Sequence, residues 1–335
     1  MAAPPVPVLC SASRCRVATR TRTRLAPPAF RASAARPLLL PGGCGGAQGG
    51  SWPRRLVARL PVPFAAKRGG GRGEVAAEDG DGGTRSLFQA ALWGAEAAYI
   101  LWLFLLPYAP GDPVWAISQA TISDLIGLSL NFFFILPLLN SAGVHLLESP
   151  VLHPMAEGLF NFVIAWTLMF APQLYTDSRR DRFKGSLDVL WGFQMFLTNT
   201  FLIPYMVIRL NDVDTNQSPP PRSQLGLVMV KGSQVVGAIG GAVCILSIVW
   251  ALFGRADAGF GGFAERWQYA QSYVFTERLA YAFLWDILLY SIFQPWLIGD
   301  NIQNVKTDAT EFVNVVRFVP VVGLVAYLFC LEKED

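Results

Sequence analysis

The chain has 335 residues, 27 Lys and Arg against 24 Asp and Glu, and a hydrophobic fraction of 53 %. Its formal charge of +3 is unevenly distributed: the first acid is Glu74, and 12 Arg and Lys67 precede it. Residues 74–335 keep 14 basic and 24 acidic residues, a net of −10, and carry no basic stripe or nucleic-acid motif, which excludes nucleic acid as a partner.

An Arg-rich, Ser-containing, acid-free leader is the composition of an organellar transit peptide. Pro4, Pro5, Pro7, Pro27, Pro28, Pro37 and Pro41, with the Gly-rich run 42–46, break any amphipathic helix there, which favours a plastid over a mitochondrion. Residues 1–73 are thus expected to be a disordered, removable leader, 74–86 an acidic Gly-rich linker and 87–331 a helical membrane domain. Cys10, Cys15 and Cys44 belong to the leader. Cys244 and Cys330 sit in apolar segments without a CxxC, so neither a disulfide framework nor a zinc site is expected.

After Arg85, apolar stretches near the length of a bilayer core recur to the end. Spans are expected near Leu87–Leu106, Ala116–Leu139, Ala156–Tyr175, Leu187–Ile208, Leu227–Phe253, Leu279–Ile298 and Phe312–Cys330. The expected fold is an all-α polytopic bundle of about seven transmembrane helices, because the segments are apolar all round. Tyr108–Pro113 reads as a tight turn, Asn211–Ser223 as a polar Pro-rich loop, and Trp267–Arg278 as an interfacial amphipathic stretch. Seven crossings put the loop of Arg179, Arg180, Arg182 and Lys184 on one side with Arg255, Arg266 and Lys333. Arg85, Arg209, Arg222, Lys231 and Lys306 fall opposite, and the 179–184 cluster points its loop toward the stroma. No internal repeat is visible, which weighs against an inverted-repeat transporter.

Charged groups at membrane depth are costly and are the first functional candidates. Glu96 lies in the middle of the first span. Asp124 and Asn131 share a face of the second, Asp286 lies in the sixth and Arg317 in the seventh. Together they read as a carboxylate cluster that binds a cation or relays protons. The structural alternative pairs Glu96 with Arg317 and leaves Asp124 and Asp286 hydrogen-bonded to neighbouring helices. His153 and Glu157, four apart, are the residues with metal-ligand spacing, although two histidines in a connection more often serve an interface, and no metal site is expected. Two histidines also exclude a His-box di-iron enzyme, and no P-loop, GxGxxG or serine-nucleophile motif is present. Ser233, Gly237 and Gly241 form a small-residue packing face, for the bundle itself or for a partner. No cofactor is expected, although Trp191, Trp250, Trp267, Trp285 and Trp296 suit contact with a pigment or quinone ring as well as ordinary packing.

The phrases LTNTFLIPYMVIR (Leu197–Arg209) and FNFVIAWTLMFAPQLYTD (Phe160–Asp177) resemble small membrane proteins of unknown function shared by cyanobacteria and plastids. That resemblance implies a plastid membrane of cyanobacterial descent and no catalytic residues. A looser analogy runs to the four-helix plastid proteins linked to neoxanthin formation. The leading expectation is a thylakoid or inner-envelope protein, with membrane lipid as its surroundings, that supports assembly or maintenance of a photosynthetic or envelope complex. The alternatives are an ion, proton or small-metabolite carrier using the intramembrane carboxylates, and an enzyme acting on a lipophilic isoprenoid such as a carotenoid.

Overall fold

The computed structural model describes residues 78–212 and 221–332, with side chains from residue 82 onward. The expected leader lies outside the described residues, and residues 78–86 of the expected linker are already helical. The fold is all-helical, with no strand among the described residues beyond one bridge between Val305 and Leu331. In chain order the helices are α1 (Glu78–Ile100), α2 (Gln119–Leu130), α3 (Ile135–Ser141), α4 (Pro154–Thr176), α5 (Leu187–Leu197) and α6 (Asn199–Ile208). They continue as α7 (Gln224–Lys231), α8 (Ser233–Phe253), α9 (Phe263–Thr276), α10 (Arg278–Asp300), α11 (Thr310–Val316) and α12 (Val322–Cys330).

Seven spans become four, or five if a bent pair is included. The four helical segments long and apolar enough to cross a membrane are Gly82–Leu105, Pro154–Thr176, Ser233–Ala258 and Arg278–Asp300, which include most or all of α1, α4, α8 and α10. The expected second span is the pair α2–α3, bent by 41° where Phe133 and Phe134 take positive φ. The expected fourth span is broken into α5 and α6 at Thr198 (φ 42°), and the seventh into α11 and α12 at Val321 (φ 64°). Bulky and β-branched residues avoid positive φ, so each break is specified by tertiary contacts. Hydropathy counts apolar residues and does not register where their backbone turns back.

The side-chain contacts give the topology. α4 and α10 run parallel, since Phe160 meets Phe283, Thr167 meets Tyr290 and Asp177 meets Asn301. α8 runs antiparallel to α4, with Cys244 on the Phe162 carbonyl and Trp250 on Glu157. α1 opposes α10, because Arg278 binds the carbonyls of Leu103, Leu106, Ala109 and Gly111 beyond α1. One end of the bundle therefore holds Asp177 and the other holds Glu157. α5 leaves from the Asp177 end, and α6 returns to it, where Arg209 binds Asp177. α11–α12 likewise starts and finishes there: Lys306 N–H donates to the Cys330 carbonyl. Both are re-entrant hairpins. α2–α3 stays near the Glu157 end, tied there through Thr121 to Glu277 and through Asn131 to Glu157.

This topology also corrects the loop sides. Arg85, Arg209, Arg222 and Lys306 join Arg179, Arg180, Arg182 and Lys184 at the Asp177 end. Arg255 and Arg266 move to the other end, where Arg255 pairs with Glu157 and Arg266 caps the carbonyls of Ala251 and Gly254. The Asp177 end is thus much the more basic of the two.

Helix association in lipid rests on close packing of small residues. On α4 and α8 these are Gly158 and Gly240: a Cβ on Gly158 would lie 2.6 Å from the Ser247 carbonyl, and one on Gly240 would strike Met169. Gly237 and Gly241 face α12, with Leu328 and Val325 at 3.1 Å, and Ser233 is buried, so the small-residue face is occupied within the bundle. Overpacking at such sites costs about 1–3 kcal/mol. Gly158→Leu and Gly240→Leu are therefore expected to lower the melting temperature of the detergent-solubilised protein. Gly94→Leu is expected to leave it unchanged, since a Cβ at Gly94 would meet nothing within 4 Å.

Candidate functional site

The five intramembrane candidates do not form one cluster. Asp286, on the inner face of α10, reaches the tip of the α5–α6 hairpin. Its Oδ1 accepts from the Tyr99 hydroxyl (2.9 Å), the Thr198 hydroxyl (2.7 Å) and the Asn199 amide (2.7 Å). Asp286 lies fourteen residues, about 21 Å, before the Asp300 end of α10. The hairpin therefore penetrates most of the way through the bundle. Along the α1–α6 seam, Arg85 meets Asp212, Gln89 meets the Val207 carbonyl and Tyr99 meets Asp286 beside Thr198. The helices run antiparallel, so Glu96 falls level with Thr200 and Phe201.

Glu96 is buried and forms no ion pair with Arg317; its Oε2 has no hydrogen-bond partner among the described residues. The oxygens Asn199 Oδ1 and Thr200 Oγ1 are likewise buried without a partner there. Asp286 is thus a buried carboxyl bonded only by neutral groups, and Glu96 is a second buried carboxyl on α1, beside α6, without an ion pair to Arg317.

From Asp286 a polar stripe follows α10 at four-residue spacing, which keeps it on one face. Tyr290 shares a hydrogen bond with Thr167 (2.7 Å), and Gln294 accepts from the Trp166 indole (3.0 Å). Gln294 also holds the α11–α12 tip: its amide donates to the carbonyls of Arg317 and Val319, and its oxygen accepts from Val321 N–H. The stripe ends at Asn301, which donates to Asp177 (2.9 Å). Gln173, fully buried, adds an amide with no hydrogen-bond partner among the described residues, and Gln194, also fully buried, lies beside Tyr290.

The other candidates lie elsewhere. Arg317 sits at the α11–α12 turn, against Gly299 and over the Phe318 ring at 4.8 Å. Asp124 is exposed on α2, facing Tyr269 and Tyr273. Asn131 belongs to a second centre, where Glu157 accepts from Asn131 (2.5 Å), Trp250 (2.7 Å) and Arg255 (2.7 Å). That pairing removes Glu157 as a metal ligand. His153 instead caps α4, its Nδ1 accepting from Met155 N–H, and stacks on Tyr269 at 3.4 Å. No metal-binding group of three His, Cys, Asp or Glu occurs among the described residues.

A third centre is not foreseen from the sequence at all. Arg209 and Asp177, both with fully buried side chains, form a two-pronged pair at 2.9 Å, joined by Tyr205 (2.6 Å) and Asn301. Arg209 also reaches Asp300 at 2.9 Å. Burial alone would raise the Asp177 pKa, but the hydrogen bonds and charge of Arg209, with Tyr205 and Asn301, hold the carboxyl below its ordinary value.

No family model, curated protein or solved structure matches this chain. The site is therefore read from its own geometry.

The two flanking centres are open to direct tests. Breaking a buried pair strands a charge and costs about 3–5 kcal/mol. Arg209→Leu alone is expected to abolish accumulation, whereas Arg209→Leu with Asp177→Leu recovers part of it, read by fluorescence-detected size exclusion. Burial, then the Arg266 charge, lowers the His153 pKa from 6.5 to about 4. The unfolded chain therefore takes up a proton that the folded cap refuses. The stabilisation is present above pH 6.5 and declines as pH falls toward 4. His153→Gln should flatten the fall in melting temperature between about pH 7 and pH 5.

Proposed function

We propose that this chain is a multi-pass carrier of a plastid membrane that moves protons or a small cation through the Asp286–Glu96 site. One observation carries the reading: Asp286 is an acid where an amide would serve. Asn161 and Gln294 hold the other two backbone breaks as neutral amides, Asn161 accepting from Phe133 N–H at 2.6 Å and Gln294 binding the α11–α12 turn. Holding a hairpin tip therefore does not require a charge. A carboxylate at this depth adds a desolvation cost that the hydrogen bonds from Tyr99, Thr198 and Asn199 offset in part and that a bound cation or proton offsets further. Oxygens of Asn199, which contacts Asp286, and of Glu96 and Thr200 along the same α1–α6 seam are hard, neutral or anionic ligands of the kind such an ion takes.

The architecture is in keeping with this role. Broken helices that meet near the middle of a bundle put backbone ends and polar side chains where ions are bound in carriers. The small-residue face that motivated a complex-assembly role packs inside the bundle, so that role loses its main support. The acid-free leader and the likeness of Leu197–Arg209 and Phe160–Asp177 to cyanobacterial and plastid proteins support the plastid location. The excess of Lys and Arg at the Asp177 end favours turning that end toward the stroma.

The test is proton flux into pyranine-loaded liposomes containing the purified protein, driven by a valinomycin-imposed potential. Asp286→Asn keeps the hydrogen-bond geometry of a tip-holding residue, so it is expected to fold normally and to lose at least tenfold in flux. Glu96→Gln is expected to reduce flux less. Wild-type flux equal to empty liposomes, for protons and for Na+ and K+ alike, would sink the proposal, as would undiminished flux in Asp286→Asn.

A further inference from the structure

Arg317 carries a charge that no acid among the described residues balances. Arg209 and Arg255 meet carboxylates, and Arg266 and Arg278 meet groups of backbone carbonyls. The Arg317 guanidinium has neither kind of partner there. Its Nε is enclosed, whereas Nη1 and Nη2 keep accessible surface on a half-buried side chain. A cation beside hydrocarbon is costly to leave without an acceptor.

The surroundings hold this cation in one place. Gln294 fixes its backbone, donating to the Arg317 carbonyl at 2.9 Å, six residues or about 9 Å before the Asp300 end of α10. The guanidinium itself lies against Gly299, one residue from that end, so the side chain climbs from the hairpin tip toward the membrane surface. Gly299 makes the room: a Cβ there would run into the guanidinium, 2.9 Å from its Cζ. The Phe318 ring lies beside the same group at 4.8 Å. Asp300, next in sequence to Gly299, is bound by Arg209 and Arg179 instead. Around the guanidinium the hairpin surface is apolar, with Phe312, Val315, Phe318, Val319 and Val322 exposed.

We infer that Arg317 binds the phosphate of an anionic phospholipid where α10 meets the α11–α12 hairpin, the acyl chains lying on the exposed apolar residues of that hairpin. A guanidinium presents its N–H groups as a fork that matches two phosphate oxygens. Its height, at the end of α10, is that of the headgroups. The exposed Phe and Val side chains favour a lipid over a soluble anion, which gains nothing from them. The excess of Lys and Arg at the Asp177 end draws anionic lipids to the same leaflet and favours them over zwitterionic ones. The site is separate from Asp286 and does not depend on the carrier reading.

Native mass spectrometry of the purified, delipidated protein titrated with dioleoylphosphatidylglycerol tests this, with dioleoylphosphatidylcholine as the chain-matched control. Phosphatidylglycerol is expected to bind several-fold more tightly, and Arg317→Gln to weaken that binding about tenfold, the worth of a charge-assisted hydrogen bond. Arg317→Lys, which keeps the charge without the fork, is expected to fall between. Gly299→Ala pushes the guanidinium aside while leaving its charge, and is expected to weaken binding as well. Arg85→Gln removes a charge elsewhere at the same end and is expected to change binding by less than about twofold. Inorganic phosphate in excess is expected not to displace the lipid. No preference for phosphatidylglycerol, equal binding in wild type and Arg317→Gln, an equal loss in Arg85→Gln, or displacement by phosphate would overturn the inference.

Discussion

In hydrocarbon, a broken helix leaves N–H and C=O groups with no water to meet them, so protein must. Every sharp break in this bundle obeys that constraint through one polar side chain from a spanning helix. Asn161 of α4 takes the Phe133 N–H, with its amide on the Asn131 carbonyl. Gln294 of α10 takes the Val321 N–H and gives two hydrogen bonds back to carbonyls. Asp286 of α10 meets Thr198 and Asn199 but can only accept while ionised. Amides match both sides of a broken backbone; an acid matches one. That imbalance separates the Asp286 site from two otherwise similar structural devices.

The Asp177–Arg209 pair imposes the second half of the architecture. Arg209 ends α6, Asp177 follows α4, and Asp300 ends α10, so a single guanidinium draws three chain segments to one end. An α6 that crossed the membrane would carry Arg209 to the opposite face. Its burial makes the pair costly to break even though its net stabilisation relative to an apolar replacement is small. Its physical effect is therefore on topology. It selects the re-entrant path over a straight span with nearly the same apolar content.

Much of the membrane character was legible because apolar length is a one-dimensional property. α1, α4, α8 and α10 each satisfy it, and the turn at Tyr108–Pro113 is built as its residues suggest, with Gly111 at positive φ against the Arg278 backbone. Asp286 and Glu96 were legible as charges within apolar runs. Asp124 and Asn131 were drawn into the same group by sharing a helix face, and that helix stays near the Glu157 end. Arg209 looked like an ordinary flanking charge, because nothing local distinguishes the end of a crossing from the end of a hairpin. Asn161, Gln194 and Gln294 carry no charge and so escaped a search for ionisable groups. A search for amides inside apolar helices would have found them, since each is fully buried.

The placement of Asp286 also bears on how a carrier could work here. Toward the Asp177 end, polar groups continue along α10 through Tyr290 and Gln294 to Asn301. Toward the Glu157 end, the first turns of α10 present Ala280 and Phe283 to the interior, both buried and apolar. Tyr99 lies between, bonded to Asp286 and lining a lipid-side groove of about 440 Å³ with Ala95, Ala98 and Trp285. A proton or cation at Asp286 thus has polar neighbours on one side only. The small residues Ala95 and Ala98 line that groove at the α1–α10 seam. The Tyr99–Asp286 hydrogen bond spans that seam, and protonating the carboxyl would weaken it as the acceptor of that bond.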